Sequence, residues 1–326
     1  MFESDTIHEM IIRDVILSRD FDFNGIAYHY TSPEGLLGII RPEGKATLWF
    51  TRFDSLNDTH ERLDVYAVLA RYVDIRYRMK KISGEFRQLL CGIAEKKEKK
   101  PTFFSYIGKE ISFQDTDGSV IKTKNHCRSS SEDTYICSFS KNRDSLPMWN
   151  YYSKCQHYEG YSISIDCGGW RYKVQHNAGF KLNFCSVVYS KDEKYQIFDD
   201  TLLKWDEIYQ GAKSEDRESI REHIANMMSD MQYIFKDEHF QHEQEVRAIL
   251  QVPKDVEIPN SLEIQYRNSN GYIVPYVEYE LPQGIIKSVT VAPLLEKALA
   301  KKNVQEMLKS RGYSCNVYSS EVPIRF

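Results

Sequence analysis

Three short stretches of the 326-residue chain set polar side chains where the surrounding pattern is apolar. They are "YHYTS" at 28–32, "CSFS" at 137–140 with "MWNYY" at 148–152, and "HEQEVRAIL" at 242–250. In an extended strand, residues two apart face the same side, so Glu243, Glu245 and Arg247 are expected to project together, and Ser138 with Ser140 likewise. Two adjacent carboxylates repel one another. A fold keeps them side by side when solvent, a cation or the polar groups of a ligand compensate, and Arg247 is a cation at the right spacing. His29 and Thr31 stand where a strand gives way to a helix, a place where folds present side chains to ligands.

Each cluster also has a structural reading. The Glu243–Arg247 run is compatible with an exposed, salt-bridged strand face, which contributes little to stability. Ser138 and Ser140 can satisfy backbone groups at a strand end, and Trp149 and Tyr152, at helical spacing, read at least partly as core. Other chemistries fare worse. "HFQHE" holds His239 and His242 near Glu238 and Glu243, but not in the H-E-x-x-H order and without a third ligand at a recognisable distance, so no metal is expected. No G-x-S-x-G is present for a serine nucleophile. The seven cysteines are dispersed, no two stand in a C-x-x-C pair, and several lie inside apolar runs, the signature of reduced core thiols.

The elements that must position these residues follow from periodicity. "GIAYHYT" and "ATLWFTRF" read as strands, with a helix between them that Ser32 caps and Pro33 opens. Leu63, Tyr66, Leu69, Ala70 and Val73 recur at helical spacing, which predicts a long helix or helix pair to about residue 99. Residues 100–133 change character and are expected to form a surface insertion: an Asp-Gly hairpin, then a mobile loop at "RSSSED". "TYICSFS", "GYSISID" and "FKLNFCSVVYS" read as strands, 192–236 as helical, and "QEVRAILQV", "YIVPYVEYEL" and "IKSVTVAP" as three further strands before a last helix and an edge strand. Consecutive strands in the second half argue for an α+β fold with a mixed or antiparallel sheet. A single domain over 1–326 is expected, with residues 1–22 an appended N-terminal helix.

Bulk properties narrow the classes. A hydrophobic content of 41% supports a substantial core, and a formal net charge of -4 gives no global attraction to phosphate backbones or anionic lipid. No apolar run reaches the roughly 20 residues of a membrane span, and "MFESDTIHEM" lacks the layout of a secretion signal, so a cytoplasmic protein is expected.

The order "YHYTS…LWFTRFDSLNDTHE", "ICSFSKNRDSLPMWNYYSKCQHYEGYSISID", "HEQEVRAIL" and "VTVAP…VYSSEVPIR" resembles a bacterial family catalogued as a domain of unknown function, number 2971, over nearly the whole chain apart from the N-terminal helix and the 100–133 insertion. M-W-x-x-Y followed by Gly160, and E-x-E-x-R, are its specific parts. More distantly, the succession of His29, Ser138-Phe139-Ser140 with Tyr152, and Glu243-Gln244-Glu245 resembles the ADP-ribosyltransferases. That resemblance implies their split-sheet fold and NAD as substrate. His29, assisted by Thr31, would hold the ribose and the nicotinamide amide, with Ser138, Ser140 and Arg247 also on the NAD side. Tyr152 or Trp149 would stack on the cationic ring. Glu245 would bond the hydroxyl beside the breaking bond, where a fixed anion favours the positively charged transition state, and Glu243 would orient the acceptor. The mixture of an early His with a late E-x-E leaves the acceptor open: protein, nucleic acid, or water in a glycohydrolase. The implied role is a toxin or phage-defence effector, compatible with a partner protein or antitoxin. The alternative is a catalytically inactive member of that fold, a nucleotide sensor or protein-binding module.

Overall fold

The computed structural model describes residues 22–56, 61–96, 102–104, 111–114, 120–123, 129–152, 159–174, 180–253, 262–269 and 271–323. The expected helix within 1–22 lies outside these residues. In chain order the elements are β1 (Ile26–Thr31), α1 (Pro33–Ile39), β2 (Ala46–Arg52), α2 (Glu61–Arg78), α3 (Gly84–Lys96), β3 (Thr102–Phe104), β4 (Ile111–Gln114), β5 (Val120–Thr123), β6 (Ser129–Ser140), α4 (Leu146–Tyr152), β7 (Tyr161–Asp166), α5 (Cys167–Val174) and β8 (Lys181–Ser186). There follow α6 (Lys191–Gly211), α7 (Ser214–Met231), β9 (Glu245–Pro253), β10 (Ile264–Ser269), β11 (Tyr272–Leu281), β12 (Ile286–Val291), α8 (Lys297–Ser310) and β13 (Asn316–Ser319). The fold is α+β, as expected: a mixed, mostly antiparallel sheet with flanking helices, in which β12 and β13 form the parallel pair.

Local chemistry sets the element ends. The Ser32 hydroxyl accepts the Gly35 amide and caps α1. At α3, Asp206 of α6 accepts both the amide and the hydroxyl of Ser83, each at 2.7 Å, so one helix fixes the start of the next. Arg76 of α2 clamps Asp199 of α6 with two parallel hydrogen bonds of 2.7 and 2.6 Å, a geometry that fixes orientation as well as contact.

The sheet separates two cores. Helices α2, α3, α6 and α7 cover one face, where Val65, Leu69, Val73, Phe198, Leu202, Trp205, Ile224 and Met228 meet Ile136 and Ile249. Helices α1, α5 and α8 cover the other with Leu36, Ile39, Trp170, Val304 and Leu308 against Phe139, Val246, Ala248 and Leu250. Each such aliphatic side chain contributes about 1.5–3 kcal/mol by leaving water. Central strand β9 is buried on both sides, which is why it reads as a nearly continuous apolar run. Ala70 is exposed, in contrast to its expected place on the buried stripe of α2.

Two expectations about 100–133 resolve differently. β4 and β5 do pair antiparallel as a separate two-stranded sheet. The "RSSSED" loop is corrected: β6 begins at Ser129, pairs with β3, and sets Glu132 and Asp133 opposite Pro253 and Val252 of β9.

The decisive topological feature lies on the second edge of β6. One edge pairs with β9 along the strand, but the other pairs with β2 at Ile136 and Tyr135 and with β1 at Ser140. Between these contacts the sheet is split. The side chain at the opening, Ser138, is exposed.

Candidate functional site

Register decides which residues meet at the split. Glu245 opens β9 opposite Ser140, and Arg247 sits between Ser138 of β6 and Cys185 of β8. Glu245, Arg247 and Ile249 share the four-helix face, because Val246, Ala248 and Leu250 fill the other core. Tyr28 lies opposite Ser140, so it belongs to the same row.

Glu243 is not on the strand, contrary to the expected alternation. It ends a short 3₁₀ helix, Glu238–Glu243, and Gln244 follows in the left-handed region at φ 44°. That turn brings the two carboxylates together around a cation that sequence reasoning missed. Lys236 Nζ donates to Glu243 Oε2 at 2.6 Å and to Glu245 Oε2 at 3.1 Å. Arg247 donates Nε to Glu245 Oε1 at 2.9 Å, Nη2 to Oε2 at 3.1 Å and Nη1 to the Tyr233 carbonyl at 2.9 Å. The Tyr152 hydroxyl donates to Glu243 Oε1 at 2.9 Å, and the Tyr189 hydroxyl accepts the Glu245 amide at 2.8 Å. Ser140 Oγ donates to the Glu243 carbonyl at 2.7 Å, tying the turn to β6.

The network is buried and charge-balanced, with two carboxylates against two cations. Glu245 is 3% exposed and Arg247 1%. Burial pushes the Glu245 carboxyl up, but the fields of Arg247 and Lys236 and the hydrogen bonds from Arg247 and Ser138 outweigh it and hold the group at about 2. The Tyr152 phenol is raised by burial and by the Glu243 charge, and it stays protonated as a donor. Lys236 had a faint signal in the sequence: a cation between the apolar "YIF" and the acidic turn, seven residues before Glu243.

His29 and Thr31 are not part of this site. Tyr28 pairs with Ser140, so the next residue, His29, faces the opposite side, where its ring lies 5.6 Å from Phe139. Its Nδ1 is 3.1 Å from the Ser138 carbonyl; a carbonyl only accepts, so Nδ1 carries the proton. Burial lowers the imidazole's pKa against the pull of that carbonyl. The histidine thereby holds a backbone carbonyl of β6 at the split. Thr31 shares its face and packs so closely on the first turn of α1 that a Cβ at Gly35 would overlap its hydroxyl.

Trp149 is turned inward. It is fully buried, its indole N–H donates to Asp144 at 2.7 Å, and its ring meets Tyr30 edge-on at 4.7 Å. Asp144 further accepts from Ser320 and from the Glu321 amide, so Trp149 anchors the C-terminal segment to α4. Tyr152, 41% exposed, is the aromatic of α4 that both touches the network and reaches solvent. Among the described residues no group of three or more His, Cys, Asp or Glu side chains is placed to hold a metal ion. Cys91, Cys137, Cys167, Cys185 and Cys315 are free thiols.

Fold and site thus define an α+β protein whose split sheet carries a buried carboxylate–cation network under an exposed serine. Residues 148–248 match the model of a family described as a protein of unknown function, DUF2971. The match contains Trp149, Tyr152, Gly160, Glu243, Glu245 and Arg247 and excludes "YHYTS" and the closing strands, a narrower span than the sequence resemblance suggested. No curated protein and no solved structure matches the chain, so neither comparison supplies an ADP-ribosyltransferase relative. Among the described residues no helix is long and apolar enough to cross a membrane.

Proposed function

We propose that the chain is a nucleotide-binding module whose ligand lies over the split at Ser138 and is held without being cleaved. The observation that carries this reading is the commitment of both Glu245 oxygens to Arg247 and Lys236. A carboxylate speeds cleavage of a ribosyl bond when its charge meets the positive charge developing on the sugar. Beside two cations within 3.1 Å, that charge is compensated before a substrate arrives. The exposed Ser138 oxygen, the Tyr152 phenol oxygen and Glu243 Oε1 supply acceptors for ribose hydroxyls. Titrating the protein with NAD by calorimetry, with free nicotinamide assayed in the same samples, tests this: saturable binding without nicotinamide release is expected.

A second reading keeps NAD consumption, as a transferase with a protein or nucleic-acid acceptor or as a glycohydrolase, in a toxin or defence role answered by a partner or antitoxin. It is favoured by one observation: Glu243 Oε1 takes a single hydrogen bond among the described residues, from a tyrosine that reaches solvent. On this reading Glu243 is the working acid and Glu245 its support. Nicotinamide release that Glu243→Gln abolishes would establish it.

A further inference from the structure

The far side of the split presents a second group of residues on the same sheet face. Thr51 pairs with Ile136, and two residues further along each strand, toward the opening, stand Trp49 and Ser138. Trp49 is 47% exposed, whereas Trp149, Trp170 and Trp205 are fully buried. Its ring lies 4.6 Å from that of Tyr276, the residue of β11 opposite Thr51. The Arg267 guanidinium of β10 lies 5.7 Å from the Trp49 centroid, and its Nη2 donates to Thr51 Oγ1 at 3.0 Å.

Arg267 is half-buried on edge strand β10. Its Nε is buried without a hydrogen-bond partner, and among the described residues no carboxylate pairs with it. Nearby Arg41 is satisfied by Glu278. A half-buried guanidinium held in place by a threonine, without a counter-charge among the described residues and against an exposed indole, is suited to an anion attached to a planar ring.

We infer that Arg267, Thr51, Trp49 and Tyr276 form a subsite for the phosphate and base of a mononucleotide. One uncompensated cation matches one phosphate. Glu278, opposite Trp49, already holds Arg41, and Glu280 shares that strand face, so Arg267 is the cation left for a ligand and a single phosphate suits it better than a polyanionic strand. The subsite takes its ligand class from the nucleotide reading above, but it stands on residues separate from Glu243 and Tyr152.

Because Trp49 is the exposed tryptophan, AMP titration followed by tryptophan fluorescence reads this subsite directly. A saturable change is expected with wild-type protein, at least tenfold weaker with adenosine, and at least tenfold weaker in Arg267→Gln at unchanged melting temperature. Arg267→Lys, which keeps the charge but loses the fork, should fall between. Equal AMP affinity in wild type and Arg267→Gln overturns the subsite while leaving nucleotide binding elsewhere intact. No AMP response in wild type also overturns it, and calorimetry with NAD then decides the broader reading separately. Loss of AMP binding in Glu243→Gln but not in Arg267→Gln would move the phosphate to the other side of the split and likewise refute the assignment.

Discussion

His29 and Glu245 lie on opposite faces of one sheet. Tyr28, Ser140 and Glu245 form a row across β1, β6 and β9, and His29 follows Tyr28 by one residue, which reverses its side. An imidazole and a carboxylate so placed cannot grip one ligand between them. The histidine is a strut for the split, and the acid belongs to an ion network.

Replacing His29 with alanine should therefore act on stability alone. The Ser138 carbonyl loses a hydrogen bond, a change of about 1 kcal/mol. Chemical denaturation should show that loss, while calorimetry shows NAD affinity unchanged. A selective loss of binding at full stability would give His29 a ligand role.

Arg247→Ala should destabilise the fold by about 3–5 kcal/mol, because it strips a buried carboxylate of one partner and leaves the Tyr233 carbonyl without its donor. Removing charge from both sides, as in Glu245→Met with Arg247→Met, should cost less than the single change, since no uncompensated ion remains. A denaturant series on the three proteins checks the ordering.

The Glu245 carboxyl also sets a pH dependence. Its folded value of about 2 lies below its ordinary 4.5, so the folded state binds its proton less readily than the unfolded chain. The stabilisation is present above about pH 4.5 and is lost as pH falls toward 2, amounting to about 3 kcal/mol in full. Stability measured between pH 6 and pH 3 should decline more steeply in wild type than in Glu245→Gln. Parallel profiles would contradict the ion network.

Gln244 holds a left-handed conformation in which glycine is unstrained. Gln244→Gly should raise stability by up to about 1 kcal/mol, and Gln244→Val should lower it by at least as much. Thermal melts of the two variants give the sign of each.

Much of the sheet was legible because its strands alternate or run apolar between turn residues. The site was harder. Whether a strand residue faces one core or the other depends on parity of register, and a shift of one residue reverses it; nothing in "YHYTS" marks which of Tyr28 and His29 turns toward Ser140. The E-x-E run reads as strand because a glutamine in the left-handed region leaves no trace in composition. Lys236 is remote from the strand it serves and enters the network through a turn. β10, "IQYRNS", is not legible in the sequence because an edge strand with exposed side chains lacks the apolar pattern that reveals the others.

Free nicotinamide after incubation of the purified protein with NAD is the most direct measurement of whether the Glu245 charge is spent. Binding without release in wild type, and no release in Glu243→Gln, is the predicted result. Turnover by wild type that disappears in Glu243→Gln, with the fold of the variant intact, would contradict it.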